Sequence, residues 1–463
     1  MSESDNNTMG RSQETAQRLI QIHVCAEEII SSPYSHDVIE LILATIISTE
    51  LSKEEHSPLV WLIIIGNPSA GKTEVVLAFE DLKNVYFLDS LTENSFLSGY
   101  VEDKNGSRYR RSQPKPQLLD DLNWKTLVIK DLTTLFSGRE EKVKQILGDL
   151  QSIYDGKFKK ATGTLGVLKS SSTFPIVAAI TPVALAKHQH YMSMVGGRFL
   201  MYRIPPLTDQ ERQEGFDCAW DQSQNKKSWS RLRKLIGEHV EDIQQSKVRL
   251  EPESDEQQQE LNQLATLLAR GRGITITEKV SYLDESSGEE RHRYEIVQSQ
   301  IEEPFRVVKQ LRTLGRALAR VHGRTKMTDH ELELLRKVVL SSIPEMRAKV
   351  LRLFAEDGYR DGLTVAQCSK GLSMSESGAA KILKELVKLE LVVESHSQNK
   401  LVYSPVPELA KLLTRGLPTI DHVLDLAPAV ILPQNSPHTN TSNIDIAHPP
   451  VGSLVRGGGE VSL

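Results

Sequence analysis

Apolar residues recur at helical spacing from about residue 13 to Ile30, and again from Asp37 to about Leu51. The first segment stops at Ser31-Ser32-Pro33, and the second predicts an amphipathic helix with Asp37 as its cap. Residues 1–12 lack the period and are expected to be disordered. The pattern then changes to a continuous apolar run, Leu59-Val60-Trp61-Leu62-Ile63-Ile64-Ile65, ended by Gly66. A short β-branched run of this kind predicts a strand covered on both faces, as in a parallel sheet. Residues 85–88, 126–129 and 175–180 repeat it, with helical stretches between, so an α/β layer structure is expected.

Residues 104–117 are polar, basic and Pro-containing and read as an exposed loop or hairpin. From about residue 207 the chain becomes Gln- and Glu-rich, with one predicted hairpin pairing 274–282 with 292–297. Helical spacing returns over 305–321 and 329–342, and a small unit follows over 345–407. Beyond residue 413, Pro, Asn and Ser dominate up to Arg456-Gly457-Gly458-Gly459, which predicts a disordered tail.

Composition narrows the classes. The 463 residues leave room for two or three domains. With 39% hydrophobic and 25% charged residues the balance is that of a globular chain. A net charge of -5 provides no global basic field, so any nucleic-acid contact must come from local patches. Cys25, Cys218 and Cys368 stand apart without ligand spacing and read as buried or incidental thiols in a reducing compartment. No apolar run approaches the roughly 20 residues that span a bilayer. The polar start, Met-Ser-Glu-Ser-Asp-Asn-Asn, lacks a signal-peptide core, so no membrane contact and a cytoplasmic location are expected.

The strand ending at Ile65 runs into Gly66-Asn67-Pro68-Ser69-Ala70-Gly71-Lys72-Thr73. A polyphosphate requires several N–H donors that can approach closely, a mobile cation and a hydroxyl for magnesium. Gly66 and Gly71 permit the loop, Lys72 is placed to reach the β- and γ-phosphates, and Thr73 to ligate Mg²⁺. ATP with Mg²⁺ is therefore the expected ligand. A phosphate-loop ATPase also needs a carboxylate at the end of a neighbouring strand. Leu127-Val128-Ile129-Lys130-Asp131 supplies one, Asp131, as metal-shell acid or water activator; Lys130 stands where a second acid would be expected.

The order of these pieces resembles an AAA+ ATPase, and within that group the minichromosome maintenance (MCM) helicase branch. Asp37-Val38-Ile39-Glu40 opens a helix ahead of the phosphate strand, and Gly66-Asn67-Pro68 is similar to that family's Gly-Asp-Pro. Residues 150–156 with Thr162-Gly163 resemble its helix and pre-sensor hairpin, and residues 176–182 its sensor-1 strand. The resemblance implies that Thr181 bonds the γ-phosphate or attacking water. It implies that Arg198, in Arg198-Phe199, is an arginine finger for the neighbouring subunit's ATP. Arg306, ahead of Leu311, Leu314 and Ala317, resembles the sensor-2 arginine. The pattern covers roughly residues 37–324. It departs from the family in lacking the paired acid, in having Thr181 for Asn, and in having no oligonucleotide-binding domain ahead of the core.

Residues 347–355, 365–370 and 375–390 predict three helices, followed by a hairpin of 391–393 with 401–403 around residues 395–400. That layout resembles a MarR-type winged helix. The third helix would present Ser375, Ser377, Lys381, Lys384 and Lys388 to DNA, with His396, Asn399 and Lys400 at the wing.

The expected fold class is thus α/β: a parallel-sheet P-loop AAA+ core with a helical lid, then a C-terminal winged helix-turn-helix domain. The boundaries are 1–36 for an N-terminal helical or disordered segment, 37–206 for the core, 207–344 for insertion and lid, 345–408 for the winged helix and 409–463 for the tail. The expected function is a DNA-associated, MCM-like ATPase acting as a ring or filament. The alternatives are an ATP-switched DNA-binding regulator and an adaptor or loader for a replication or mobile-element protein.

Overall fold

The structure, a computed structural model, describes residues 3–30, 34–92, 95–96, 118–156, 158–162, 166–188, 191–192, 195, 197–220, 225–246, 249–283, 290–356, 358–397 and 400–414. The chain divides into two units, Met1–Asp425 and Leu426–Leu463. The second unit lies wholly outside the described residues, as do the predicted loop at 104–117 and Asn399.

Helix α1 (Glu3–Glu27) already includes the polar start, for which the sequence predicts disorder. Its C-terminal half buries Leu19, Ile22, Cys25 and Ala26. Near Ser12 it lies so close to Gly323 that a Cβ there would stand 2.5 Å from the Ser12 carbonyl oxygen. Gly323 also has φ +69°, so glycine is required twice over. This contact with a residue far along the chain is invisible to local periodicity.

Helix α2 (Ser35–Glu55) is not amphipathic, and Asp37 is not its cap. Tyr34 holds the cap position, and Asp37 instead accepts bonds from Tyr202 Oη at 2.6 Å and Lys337 Nζ at 3.0 Å. Nearly every residue from Val38 to Leu51 is buried, as in a helix covered on all sides. Its polar members close locally: Thr45 and Ser48 donate to carbonyls on the same helix.

The sheet follows: β1 (Trp61–Ile65), α3 (Lys72–Leu77), β2 (Val85–Leu88), α4 (Leu118–Leu122), β3 (Thr126–Ile129), α5 (Thr133–Phe136), α6 (Glu140–Tyr154), β4 (Phe158–Thr162), β5 (Gly166–Ser170), β6 (Ile176–Ile180), α7 (Pro182–Lys187) and β7 (Phe199–Arg203). Five strands pair in the order β2-β3-β6-β1-β7, all parallel. Strand alternation sends Trp61, Ile63 and Ile65 into a core with α6, and Leu62 and Ile64 into a second core with α2 and the later helices. Both faces of the sheet are therefore covered, which is why β1 is continuously apolar. The β4–β5 pair is a separate antiparallel hairpin.

The remaining elements are α8 (Asp209–Trp220), α9 (Asn225–Ser246), α10 (Asp255–Gly271), β8 (Ile274–Leu283), β9 (Glu290–Gln300), α11 (Phe305–Val321), α12 (Asp329–Ser342), α13 (Glu345–Leu353), α14 (Val365–Gly371), α15 (Glu376–Lys388), β10 (Val392–Ser397), β11 (Lys400–Pro405) and α16 (Pro407–Thr414). Capping boxes start α10, α12 and α14: Ser254 with Gln257, Thr328 with Glu331, and Thr364 with Gln367. Strands β8 and β9 form the expected hairpin. Helix α16 runs past the expected start of the tail, because Leu409, Leu412 and Leu413 are buried. Cys25 and Cys368 are buried free thiols, and burial pushes the Cys368 thiol up to about 11. No helix among the described residues is long and apolar enough to cross a membrane.

Candidate functional site

The loop Gly66–Thr73 leaves the carboxyl end of β1 between its two sheet neighbours. Gly66 N–H donates to the Ile180 carbonyl of β6 at 3.2 Å, while Ile204 N–H, just past β7, donates to the Ile65 carbonyl at 2.7 Å. The root of the loop is thus pinned on both sides. Beyond it Asn67, Pro68 and Ser69 are exposed. Ser69 and Gly71 take positive φ, 61° and 76°, and the chain then turns into α3 from Lys72. Ser69 adopts this left-handed backbone despite its side chain, which marks local strain carried by the loop.

Lys72 is buried at 9% exposure and bends back over the loop. Its Nζ donates to the Gly66 carbonyl at 2.7 Å and the Asn67 carbonyl at 2.6 Å. Burial lowers its pKa, and the Asp131 charge opposes that shift. Thr73 is exposed on the first turn of α3.

Asp131 follows β3, which β6 separates from β1. It is exposed, and its Oδ1 accepts the Thr133 N–H at 2.8 Å, closing the turn into α5. The neighbouring Lys130 is turned away into an ion pair with Asp89 at 2.6 Å. Sequence reasoning passes over Asp89, although it directly follows the apolar run 85–88; an acid in that place was the available signal. Thr181 follows β6, and the pairing of Ile65 with Ile180 sets it level with Gly66. Its Oγ1 accepts the Ala184 N–H at 3.4 Å, so it caps α7. The loop, Asp131 and Thr181 therefore share the carboxyl edge of the sheet.

Arg198 and Arg306 lie elsewhere. Arg198 precedes Phe199, which pairs with Trp61 at the amino end of β1. At about 3.3 Å per residue, a strand of this length sets it roughly 15 Å or more from the loop. Arg198 donates to the Val195 carbonyl at 3.0 Å, stands 3.5 Å from Asp155 and stacks 5.6 Å over the Tyr154 ring. Arg306 pairs with Glu302 at 3.3 Å, and Arg272 pairs with the same carboxylate. Gln310 joins the groups, donating to Tyr154 Oη and to the Arg198 carbonyl, both at 2.9 Å. A cavity of ≈ 240 Å³ beside them is lined by Arg198, Arg203, Arg272, Glu302 and Glu345. Arg272, Glu302 and Gln310 carry no sequence signal, since none of them belongs to a motif.

In the C-terminal module, α15 turns Ala379, Ile382, Leu383 and Leu386 inward and exposes Ser377, Lys381, Lys384 and Lys388. Ser375 is its cap, accepting the Gly378 N–H at 3.2 Å. Lys400 is exposed at the start of β11, which pairs antiparallel with β10. Leu363 adds a further bridge to Tyr403. Arg347 of α13 ties the module inward, bonding Glu385 at 3.0 Å and the Gly273 carbonyl at 2.7 Å. The lysines are left on the outer face.

The chain matches no protein-family model and no curated protein.

Proposed function

We propose that this chain is an AAA+-type ATPase of MCM-like organisation that binds ATP with Mg²⁺ at Gly66–Thr73 and acts on DNA as an oligomer. The observation that carries the proposal is the convergence of a strained loop, a buried lysine, one acid and one hydroxyl at a single edge of a parallel sheet. Open α/β sheets bind ligands at the carboxyl ends of their strands, where successive connections diverge. Here the chain leaves β1 for the far edge at β2 and returns through β3 and β6 to β1's side.

In this proposal Lys72 exchanges its two loop carbonyls for phosphate oxygens, and the loop amides hold the rest of the triphosphate. The donor set suits Mg²⁺, a hard cation that keeps several waters: the exposed Thr73 hydroxyl would be one ligand, and Asp131 would hold it through water. Bound Mg²⁺ would neutralise charge on the β- and γ-phosphates. Thr181 orients the γ-phosphate or the attacking water. Arg198 and Arg306 are too remote to reach the same protomer's loop. Their shared position on another face supports delivery to a neighbouring subunit's nucleotide, where a guanidinium stabilises transferring charge.

DNA contact falls to the C-terminal module, with α13–α15 and the β10–β11 hairpin acting as a winged helix whose third helix enters a groove. The exposed lysines of α15 suit phosphate oxygens.

The test is ATP turnover with and without single- and double-stranded DNA; turnover should rise with one of them, and turnover indifferent to all DNA removes the motor role. Replacing Lys381, Lys384 and Lys388 together by Ala should weaken DNA binding. It should also flatten the salt dependence by ~2–3 in log–log slope, at about 0.9 for each phosphate that a lysine neutralises. An unchanged slope would place DNA elsewhere.

A second role, an ATP-switched DNA-binding regulator, is favoured by one observation: Lys130 replaces the second acid and is locked to Asp89. Its mark would be sequence-specific duplex binding that responds to ATP with little turnover.

A further inference from the structure

Around α2, four elements bring imidazoles and carboxylates together. Glu40 of α2, His322 at the end of α11 and His330 in the first turn of α12 place their ligand atoms within 4.8 Å of one another. Glu40 Oε2 stands 3.2 Å from His322 Nε2 and 3.4 Å from His330 Nε2. Tetrahedral zinc with bonds of about 2.0–2.1 Å sets neighbouring ligand atoms ~3.3 Å apart. These two edges match that spacing.

The outer contacts are also those of a metal centre. Glu331 Oε1 lies 2.7 Å from His322 Nδ1, and His23 Nε2 lies 3.3 Å from Glu40 Oε1. Glu331 is itself held by the Thr328 N–H at 2.6 Å and hydroxyl at 2.7 Å, and by Arg324. A carboxylate on the second nitrogen of a ligating histidine fixes its tautomer and ring direction. Both His322 nitrogens and His23 Nε2 are buried, and each faces a carboxylate oxygen. Glu40 and His322 are 5% and 8% exposed, whereas His330 is 51% exposed and leaves a path from solvent.

We propose that Glu40, His322 and His330 form a binding site for one divalent transition metal, Zn²⁺ by its ligand chemistry. Two imidazoles and one carboxylate suit zinc, and water completes the fourth position on the His330 side. Glu331 and His23 are positioning residues that orient His322 and Glu40. The ion joins α2 to α11 and α12, and through His23 it reaches α1. This site is independent of the proposed nucleotide site, whose hard oxygen donors suit Mg²⁺ instead.

The experiment uses the full chain, stripped with chelator and titrated with Zn²⁺ against a chromophoric competitor, with Co²⁺ as a spectroscopic probe. One Zn²⁺ per chain, a higher Tm and a visible Co²⁺ absorption band are expected. His330→Ala, chosen because the side chain is half exposed, should retain the parent's circular dichroism yet bind at least ~10-fold more weakly. Glu331→Gln should keep the stoichiometry and weaken affinity about 10–100-fold. Absence of zinc uptake by the stripped parent overturns the proposal. So does a folded His330→Ala that binds zinc as tightly as the parent.

Discussion

Lys72→Ala is expected to lower ATP turnover by about 10²–10³-fold, the scale on which loss of one preorganised charge-stabilising donor acts. The ammonium is held over the loop by two carbonyls, beside the place where phosphate oxygens would replace them. Lys72→Arg should not rescue turnover. The compact ammonium fits between the Gly66 and Asn67 carbonyls at 2.7 and 2.6 Å, and a planar guanidinium with its fixed fork does not reproduce that point-charge geometry. Titration with a fluorescent ATP analogue, beside turnover and circular dichroism, separates a binding defect from a folding defect. Nucleotide affinity and turnover equal to the parent's would sink the proposed role of the loop.

Trp61→Ala is expected to destabilise the protein by about 3–5 kcal/mol. Trp61 is 1% exposed, with Tyr154 edge-on at 4.9 Å and Phe199 tilted at 5.1 Å. Its Nε1 also donates to the Phe174 carbonyl at 2.9 Å. The truncation leaves a void in the core beneath β1 and one carbonyl without its donor. Trp61→Phe should cost less, because a ring remains to fill most of the site. Urea midpoints of the three proteins check the order, and a Trp61→Ala protein as stable as the parent would contradict it. Tyr154 also carries the Arg198 guanidinium on its face, so the same variant should loosen that arginine.

Much of the architecture is legible because local chemistry and tertiary demand agree. The run 59–65 is β-branched and closed by Gly66, and it forms β1; helices α11 and α12 take the expected 305–321 and 329–342. Their boundaries follow from apolar spacing and, at α12, from the Thr328–Glu331 box. Helix α2 departs from its expected amphipathic form because a period argument assumes one wet face, whereas this helix has the sheet on one side and α11 on another. Helix α1 extends beyond its expected start, and at Ser12 it meets Gly323, a residue far along the chain that no local period records.

By itself the sequence determined four of the five sheet strands, all but β7, together with helices α11 and α12, the composition of the loop from Gly66 to Thr73, and the lysine face of α15. Those properties depend on neighbours a few residues apart, where backbone geometry translates spacing directly into faces and turns. Only the tertiary structure decided that Asp131 and Thr181 share the loop's edge while Arg198 and Arg306 gather around Tyr154 on another. It alone brought Glu40, His322 and His330 within 4.8 Å of each other. Strand order and helix packing set such distances, and both arise from burying apolar surface between elements far apart in the chain, which leaves no local periodicity to read.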